Sequence, residues 1–254
     1  MVKPEFWRRV KGAYRRKSAH IFYRRPLVIK TKEPIISFTF DDFPRSALHM
    51  GGRILKRYGA TGTYYASIGL MGTQAPTGTM FVRQDLEILS QEGHELGCHT
   101  FGHCDAGTTK PDVFEESIVQ NQQALTALYP GALFRTLSYP INEPRPRTKQ
   151  KAGEHFLCCR GGGQTLNVGT ADLNYLSSHF LEQSRDNPQS VRDLIDRNRR
   201  ERGWLIFSTH DVSEAPTPWG CTVDFFEDIV RCAANSGARI LPVVHACEVL
   251  SRTI

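Results

Sequence analysis

The sequence predicts an α/β fold, a distorted (β/α) barrel of about seven parallel strands in a single domain. Three observations predict it. Short apolar runs alternate with segments of helical period, the links between them are short, and no shift in composition divides the chain after residue 33. Strand and helix alternating in this way means parallel pairing through right-handed crossovers. Chemistry in such a barrel gathers on the loops at the C-terminal ends of strands. The reactive residues are therefore expected just after apolar runs.

The elements follow in order. Residues 35–40 read as a strand, halted by the turn-forming Asp41-Asp42-Phe43-Pro44. Residues 46–58 read as a helix ended by Gly59, and 61–68 as a strand. A helix over 82–92 is punctuated by Gly93 before the strand 94–98. The longest helix is expected over 112–129, with Val113, Ile118, Leu125 and Leu128 on its apolar side. A strand over 134–139 leads to a Pro-broken loop and a short helix near 148–154. Residues 156–160 and 173–180 read as strands, 188–200 as a helix and 204–209 as a strongly apolar strand. A helix over 223–235, a strand over 239–241 and a helix over 244–250 close the chain.

Charge divides the chain at about residue 32. Residues 1–32 carry 11 Lys or Arg and a single acid, Glu5, for +10, while the rest nets −4. Domain organisation is read as a basic arm, 1–32, and a barrel domain, 33–254. Phe6, Trp7, Tyr14, Phe22 and Tyr23 are interleaved with the basic clusters, so the arm suits packing on the core or contact with an anionic membrane surface. Nucleic acid is not the expected partner. No apolar run is long enough to span a bilayer. Basic residues interrupt every apolar stretch near the N-terminus, so a cytoplasmic location is expected, with the arm offering a peripheral contact to the inner face of the membrane. Seven cysteines, at 98, 104, 158, 159, 221, 232 and 247, follow no Cys-x-x-Cys spacing and are read as free thiols.

Four clusters fall at expected strand ends. Asp41 and Asp42 would face opposite ways in a continuing strand, but Pro44 forces a turn that lets both reach one pocket in different roles. His99 and His103, four apart, are expected on one face of a helical turn, where two imidazoles can share a metal ion. Two histidines and one carboxylate leave open positions for water and substrate, as a catalytic site requires. Ser208-Thr209-His210-Asp211 presents a histidine able to protonate a leaving amine. Backbone N–H groups of the turn Ser138-Tyr139-Pro140-Ile141-Asn142 can hold an oxyanion. Trp219, in the loop after His210, offers an aromatic platform for a sugar ring.

The order TFDD, HTFGH, a Tyr-Pro turn and a strand ending in His resembles the polysaccharide deacetylases, carbohydrate esterase family 4, over about residues 35–250. The resemblance implies a distorted barrel and a divalent metal, most commonly Zn2+. It implies Asp42, His99 and His103 as metal ligands, Asp41 as general base and His210 as general acid. The Ile141 N–H would be the oxyanion donor, with Tyr139, Pro140 and Trp219 near the substrate. The expected activity is metal-dependent removal of an N-acetyl or similar acyl group from a sugar or glycan precursor. Deformylation or other C–N hydrolysis of a small metabolite is the alternative, as is a catalytically inert, metal-containing carbohydrate-binding domain.

The sequence departs from the family pattern in three places. Ser138 stands where many relatives carry an Arg, so Arg135 or Arg160 is expected to substitute, or the base to be tuned differently. Asn142 replaces a Gly, and Asp172 is the candidate to orient His210.

Overall fold

The computed structural model describes residue 12 and residues 17–252. In chain order its strands are β1 (Pro26–Val28), β2 (Ile35–Phe40), β3 (Thr63–Ala66), the hairpin β4 (Gln74–Ala75) and β5 (Gly78–Thr79), and β6 (Glu95–Cys98). There follow β7 (Thr136–Ser138), β8 (Cys158–Gly163), β9 (Thr170–Asp172), β10 (Leu176–Phe180), β11 (Trp204–Thr209) and β12 (Arg239–Ile240). β2, β3, β6, β7, β8, β10 and β11 form a closed parallel barrel, β11 pairing back to β2 from Trp204↔Ile35 to Thr209↔Phe40. The short β12 pairs with the start of β2, below the point where β3 joins it at Thr39 and Phe40. The expected fold class is the one found.

Every residue of β2 and β11 is buried, because one face lines the barrel and the other meets the helices. Ile36, Phe38 and Phe40 join the main apolar cluster outside, with Phe207 and Phe226. Ile35, Trp204, Ile206, Cys158 and Leu176 pack together with Leu27 and the C-terminal helix Val243–Ser251, plugging the N-terminal end of the barrel. The cysteines are free.

Three local expectations are corrected. Helix Pro111–Leu128 buries Phe114, Ile118, Asn121 and Leu125, whereas Val113 is exposed; one residue of offset turns it about 100° off the buried stripe. The segment read as a helix over 46–58 opens as a π-helical turn, Ala47–Gly52, before Arg53–Arg57. Gly51 and Gly52 press onto Phe40 and the Tyr64 hydroxyl, where an added Cβ would stand 3.0 Å away. Finally, Asp172 does not orient His210. It lies in β9, outside the barrel, and its Oδ1 accepts the Arg25 and Asn174 backbone N–H groups at 2.9 and 3.0 Å.

That carboxylate belongs to a clamp on the N-terminal segment. β1 pairs antiparallel with β9, and buried Lys149 donates to Asp172 Oδ2 (2.5 Å), Ala19 O (2.5 Å) and Phe22 O (2.8 Å). Residues 17–21 are helical, so the ammonium caps carbonyls at that helix's end. Ile21, Phe22 and Tyr23 remain exposed beside it. Phe6, Trp7 and Tyr14 lie outside the described residues. Lys149→Met is expected to cost about 1.5–3 kcal/mol, the range for hydrogen bonds to a charged group. It should also speed proteolysis at residues 17–23, read by limited digestion; an unchanged cleavage rate would refute the clamp.

Candidate active site

Alternation along β2 turns Ser37, Thr39 and then Asp41 toward the barrel axis: Trp204 Nε1 donates to Ser37 Oγ and Thr39 Oγ1 to Phe207 O. Asp42 and Phe43 then adopt φ of 62° and 57°, left-handed values unusual for residues with a Cβ. The turn swings Asp42 sideways, and both carboxylates reach one cleft. Phe43 stacks on Phe81 at 4.8 Å and anchors the turn. This brings the β4–β5 hairpin over the site, where Thr77 Oγ1 donates to Asp42 Oδ2 at 2.8 Å.

His99 and His103 approach Asp42 from the end of β6. No helical turn holds them, contrary to the expectation from their spacing. Residues 99–103 form an irregular bend in which Thr100 and His103 have φ of 61° and 55°. Thr100 Oγ1 closes it by accepting the Cys104 N–H at 2.9 Å. The imidazole centroids stand 5.0 Å apart, and the Nε2 atoms of His99 and His103 lie 3.4 and 3.0 Å from Asp42 Oδ1. His99 Nδ1 is 2.8 Å from Ser138 O, so an Nδ1–H there leaves Nε2 as a free lone pair.

Asp42 Oδ1 is buried without a hydrogen-bond partner. Burial raises the Asp42 pKa, but the close imidazoles of His103 and His99 more than reverse this and hold it well below the ordinary range. Burial likewise draws His103 down and Asp42 more than offsets it. An orphaned carboxylate oxygen facing two imidazole nitrogens, all ligand atoms within 4.8 Å of one another, fits a divalent cation.

Asp41 has a different environment. Its carboxylate is paired with the guanidinium of Arg160, which is 1% exposed, and Ser208 Oγ donates to Oδ2 at 3.3 Å. Arg160 also donates to Ser138 Oγ (2.5 Å), Ser178 Oγ (3.2 Å) and Gly161 O (3.3 Å), with its charge 5.1 Å from the centre of the Tyr65 ring. Burial pushes Asp41 up, and Arg160, aided by His99 and His210, overcomes this to leave the carboxyl at about 2. The cation missing from position 138 is thus supplied by Arg160. Arg135 instead pairs with Glu248 at the surface.

His210 follows β11, and its Nδ1 is 3.2 Å from Trp219 O, turning Nε2 to the cleft. The loop carrying Trp219 is fixed by Asp211, which accepts from Thr217 N (2.9 Å) and Thr217 Oγ1 (2.5 Å). Arg185 pins it further through Pro218 O at 2.9 Å. Across the site, Ile141 has φ 65°, and Asn142 N donates to Pro140 O at 2.8 Å around it. A β-branched residue held in this region is strained, and such strain gathers at functional sites. The resulting cleft, about 750 Å³, opens at the C-terminal ends of the strands.

Residues 29–156 match the family model described as polysaccharide deacetylase. The chain belongs to the polysaccharide deacetylase family. A gellan lyase from Bacillus sp. is 28% identical over 146 residues, half of this chain, which spans only about 6% of that protein. The fold is shared with the carbohydrate esterase 4 domain of a multidomain xylanase from the hindgut metagenome of Trinervitermes trinervoides (TM-score 0.58, 19% identity, 87% of this chain and 92% of that one). It is shared equally with the chitin deacetylase of the fungal pathogen Colletotrichum lindemuthianum (0.60, 15%, 87% and 90%). A family pseudoenzyme from Bacillus anthracis also matches (0.56, 10%, 86% and 66%).

In this member of the family the cleft brings together Asp41, Asp42, His99, His103, His210, Tyr139, Ile141 and Trp219. Tyr139 borders it with a buried ring whose hydroxyl donates to Asn174 O at 3.0 Å. Pro140 is buried and shapes the turn without lining the cleft. Thr77 and Glu182 escaped the sequence reading. Thr77 lies 35 residues from the carboxylate it supports, and Glu182 sits one short turn, Leu181–Ser184, beyond β10. A charged residue after an apolar strand was the only signal for Glu182.

Proposed function

We propose that this chain is a metal-dependent deacetylase that removes an N-acetyl or similar acyl group from a sugar or glycan precursor. The observation that carries the reading is one cleft holding an Asp/His/His donor set beside a second carboxylate, Asp41, that is separately charge-paired. Asp42, His99 and His103 would hold the ion, with Zn2+ suited to two imidazoles and a carboxylate. Bound there, it would polarise the scissile carbonyl and acidify water to a pKa near 7.

Asp41, unprotonated at neutral pH, takes the proton of the attacking water. The Ile141 N–H, which has no hydrogen-bond partner among the described residues, donates to the developing oxyanion. His210, protonated, gives a proton to the departing nitrogen; Trp219, 43% exposed, offers its face to the sugar ring. Keeping both Asp41 and His210 in the cleft favours turnover over an inert binding role. The same machinery would serve deformylation, and the acyl group released decides between the two.

The test is zinc-loaded protein against free and nucleotide-linked N-acetylated sugars, with released acetate or formate measured. Zn2+ should raise the melting temperature of the wild type, by about 2.7 kcal/mol of stabilisation at 100 times Kd, and leave Asp42→Ala unmoved. Release of neither acid by zinc-saturated protein would overturn the reading.

For the N-terminal arm, residues 1–32, we propose a peripheral contact with an anionic membrane on the cytoplasmic side, supported by its +10 charge and by exposed Ile21, Phe22 and Tyr23. No helix among the described residues is long and apolar enough to cross a membrane. Binding to phosphatidylserine vesicles should fall steeply between 0.1 and about 1 M salt, over which the Debye length shrinks from about 10 to 3 Å.

A further inference from the structure

Besides Asp42 Oδ1, which faces the two imidazoles, the cleft holds one more orphaned carboxyl oxygen among the described residues, that of Glu182. It lies in the turn Leu181–Ser184 directly after β10, so it reaches the same mouth of the barrel as Asp41 and His210. The β4–β5 hairpin with Thr77 covers Asp42 and bounds the cleft at Gln74, Ala75 and Pro76, while Phe180, Glu182, Gln183 and Trp219 line it elsewhere. Arg185, in the same short segment, ties that turn to the Trp219 loop through Pro218 O and Thr217 O. The Glu182 backbone carbonyl is taken by Arg185 Nε at 3.1 Å. In its side chain, Oε2 is buried and has no hydrogen-bond partner.

Buried polar groups are normally satisfied, and one left open in a cleft calls for an explanation. Asp42 has its neighbours in the two imidazoles and Thr77, Asp41 in Arg160 and Ser208, and His210 in the Trp219 carbonyl. With Asp42 Oδ1 turned to the two imidazoles as part of the donor set, Glu182 Oε2 is the other orphaned carboxyl oxygen of the cleft among the described residues, and it is open to something that enters.

We propose that Glu182 is a substrate-binding residue whose carboxyl hydrogen-bonds a hydroxyl group of the sugar seated against Trp219. The proposal rests on the deacetylase reading for the nature of its ligand. Its chemistry follows from the surroundings. Burial pushes the carboxyl up to about 8; a hydrogen bond from its own backbone N–H opposes this, the negative charge of Asp41 adds to it, and Arg185 and Arg160 oppose in part. A carboxylic acid at neutral pH is a donor, which an ionised carboxylate cannot be. It also adds no second negative charge next to the base, so Asp41 and Arg160 remain a balanced pair.

Glutamine keeps the shape and a donor; alanine keeps neither. With triacetylchitotriose as the probe, Glu182→Ala is expected to raise KM about tenfold while kcat stays within about threefold, and Glu182→Gln to restore KM to within about threefold of wild type. Difference infrared spectroscopy at pH 7 should show a protonated-carboxyl band in the wild type that shifts when the trisaccharide binds and is missing from Glu182→Gln. Equal KM in the alanine and glutamine variants overturns the proposal, as does absence of that band. A loss confined to kcat in Glu182→Gln also overturns it, because the proton would then be transferred and not shared. Calorimetric binding of the trisaccharide separates the two readings. Binding that depends on Glu182 without acetate release removes the deacetylase reading and leaves this one standing; release indifferent to Glu182 does the reverse.

Discussion

Arg160→Met is expected to lower kcat/KM by about 10²–10⁴, as loss of a proton-transfer group does, and stability by about 3–5 kcal/mol, as breaking a buried ion pair does. Both effects have one cause. Arg160 is 1% exposed and spends its guanidinium on Asp41, Ser138, Ser178 and Gly161. Methionine fills much of the volume but leaves the Asp41 charge buried and unpaired. In the intact protein Asp41 is depressed to about 2, so it stabilises the fold above the ordinary carboxylate range and that contribution fades as pH falls toward 2. Without Arg160, burial is opposed only by the weaker pull of His99 and His210, and the pKa is expected to rise above its unfolded value. The sign reverses: the variant should lose stability as pH rises through the new value. Denaturant titrations at pH 5 and 8 read this directly. Arg160→Lys should rescue little, since a single ammonium cannot span the partners of a planar fork. A methionine variant as stable at pH 8 as at pH 5 would show that the pair does not set the Asp41 charge.

Asp41→Asn should bind one equivalent of Zn2+ as the wild type does and lose about 10²–10⁴ in kcat. Asparagine preserves the shape beside Arg160 and Ser208, yet its amide cannot take a proton from water. Its position is separate from the donor set, where Asp42 Oδ1 faces His99 and His103. Metal analysis alongside turnover is the decisive measurement. If zinc content falls in step with activity, Asp41 and Asp42 have exchanged roles.

By itself the sequence determined the barrel and singled out Asp42, His99 and His103, which the fold gathers with their ligand atoms within 4.8 Å of one another. β2 and β11 are fully buried, largely apolar strands that stop at Asp41 and His210, and period-2 and period-3.6 patterns are local properties of a chain. The tertiary structure decided what those patterns cannot encode. His99 and His103 meet through a left-handed bend at Thr100 and not through a helical turn, because backbone strain of that kind is sustained by the packing around it. Arg160, and not Arg135, neutralises Asp41, since the buried Arg160 side chain on β8 reaches the end of β2 and the Arg135 side chain emerges at the surface. Asp172, read as a partner for His210, instead clamps residues 17–25 with Lys149. Glu182 and Thr77 reach the cleft only when β10 and the β4–β5 hairpin are folded over it. Pairings across 35 to 119 residues depend on strand order and register, which the closed barrel fixes as a whole.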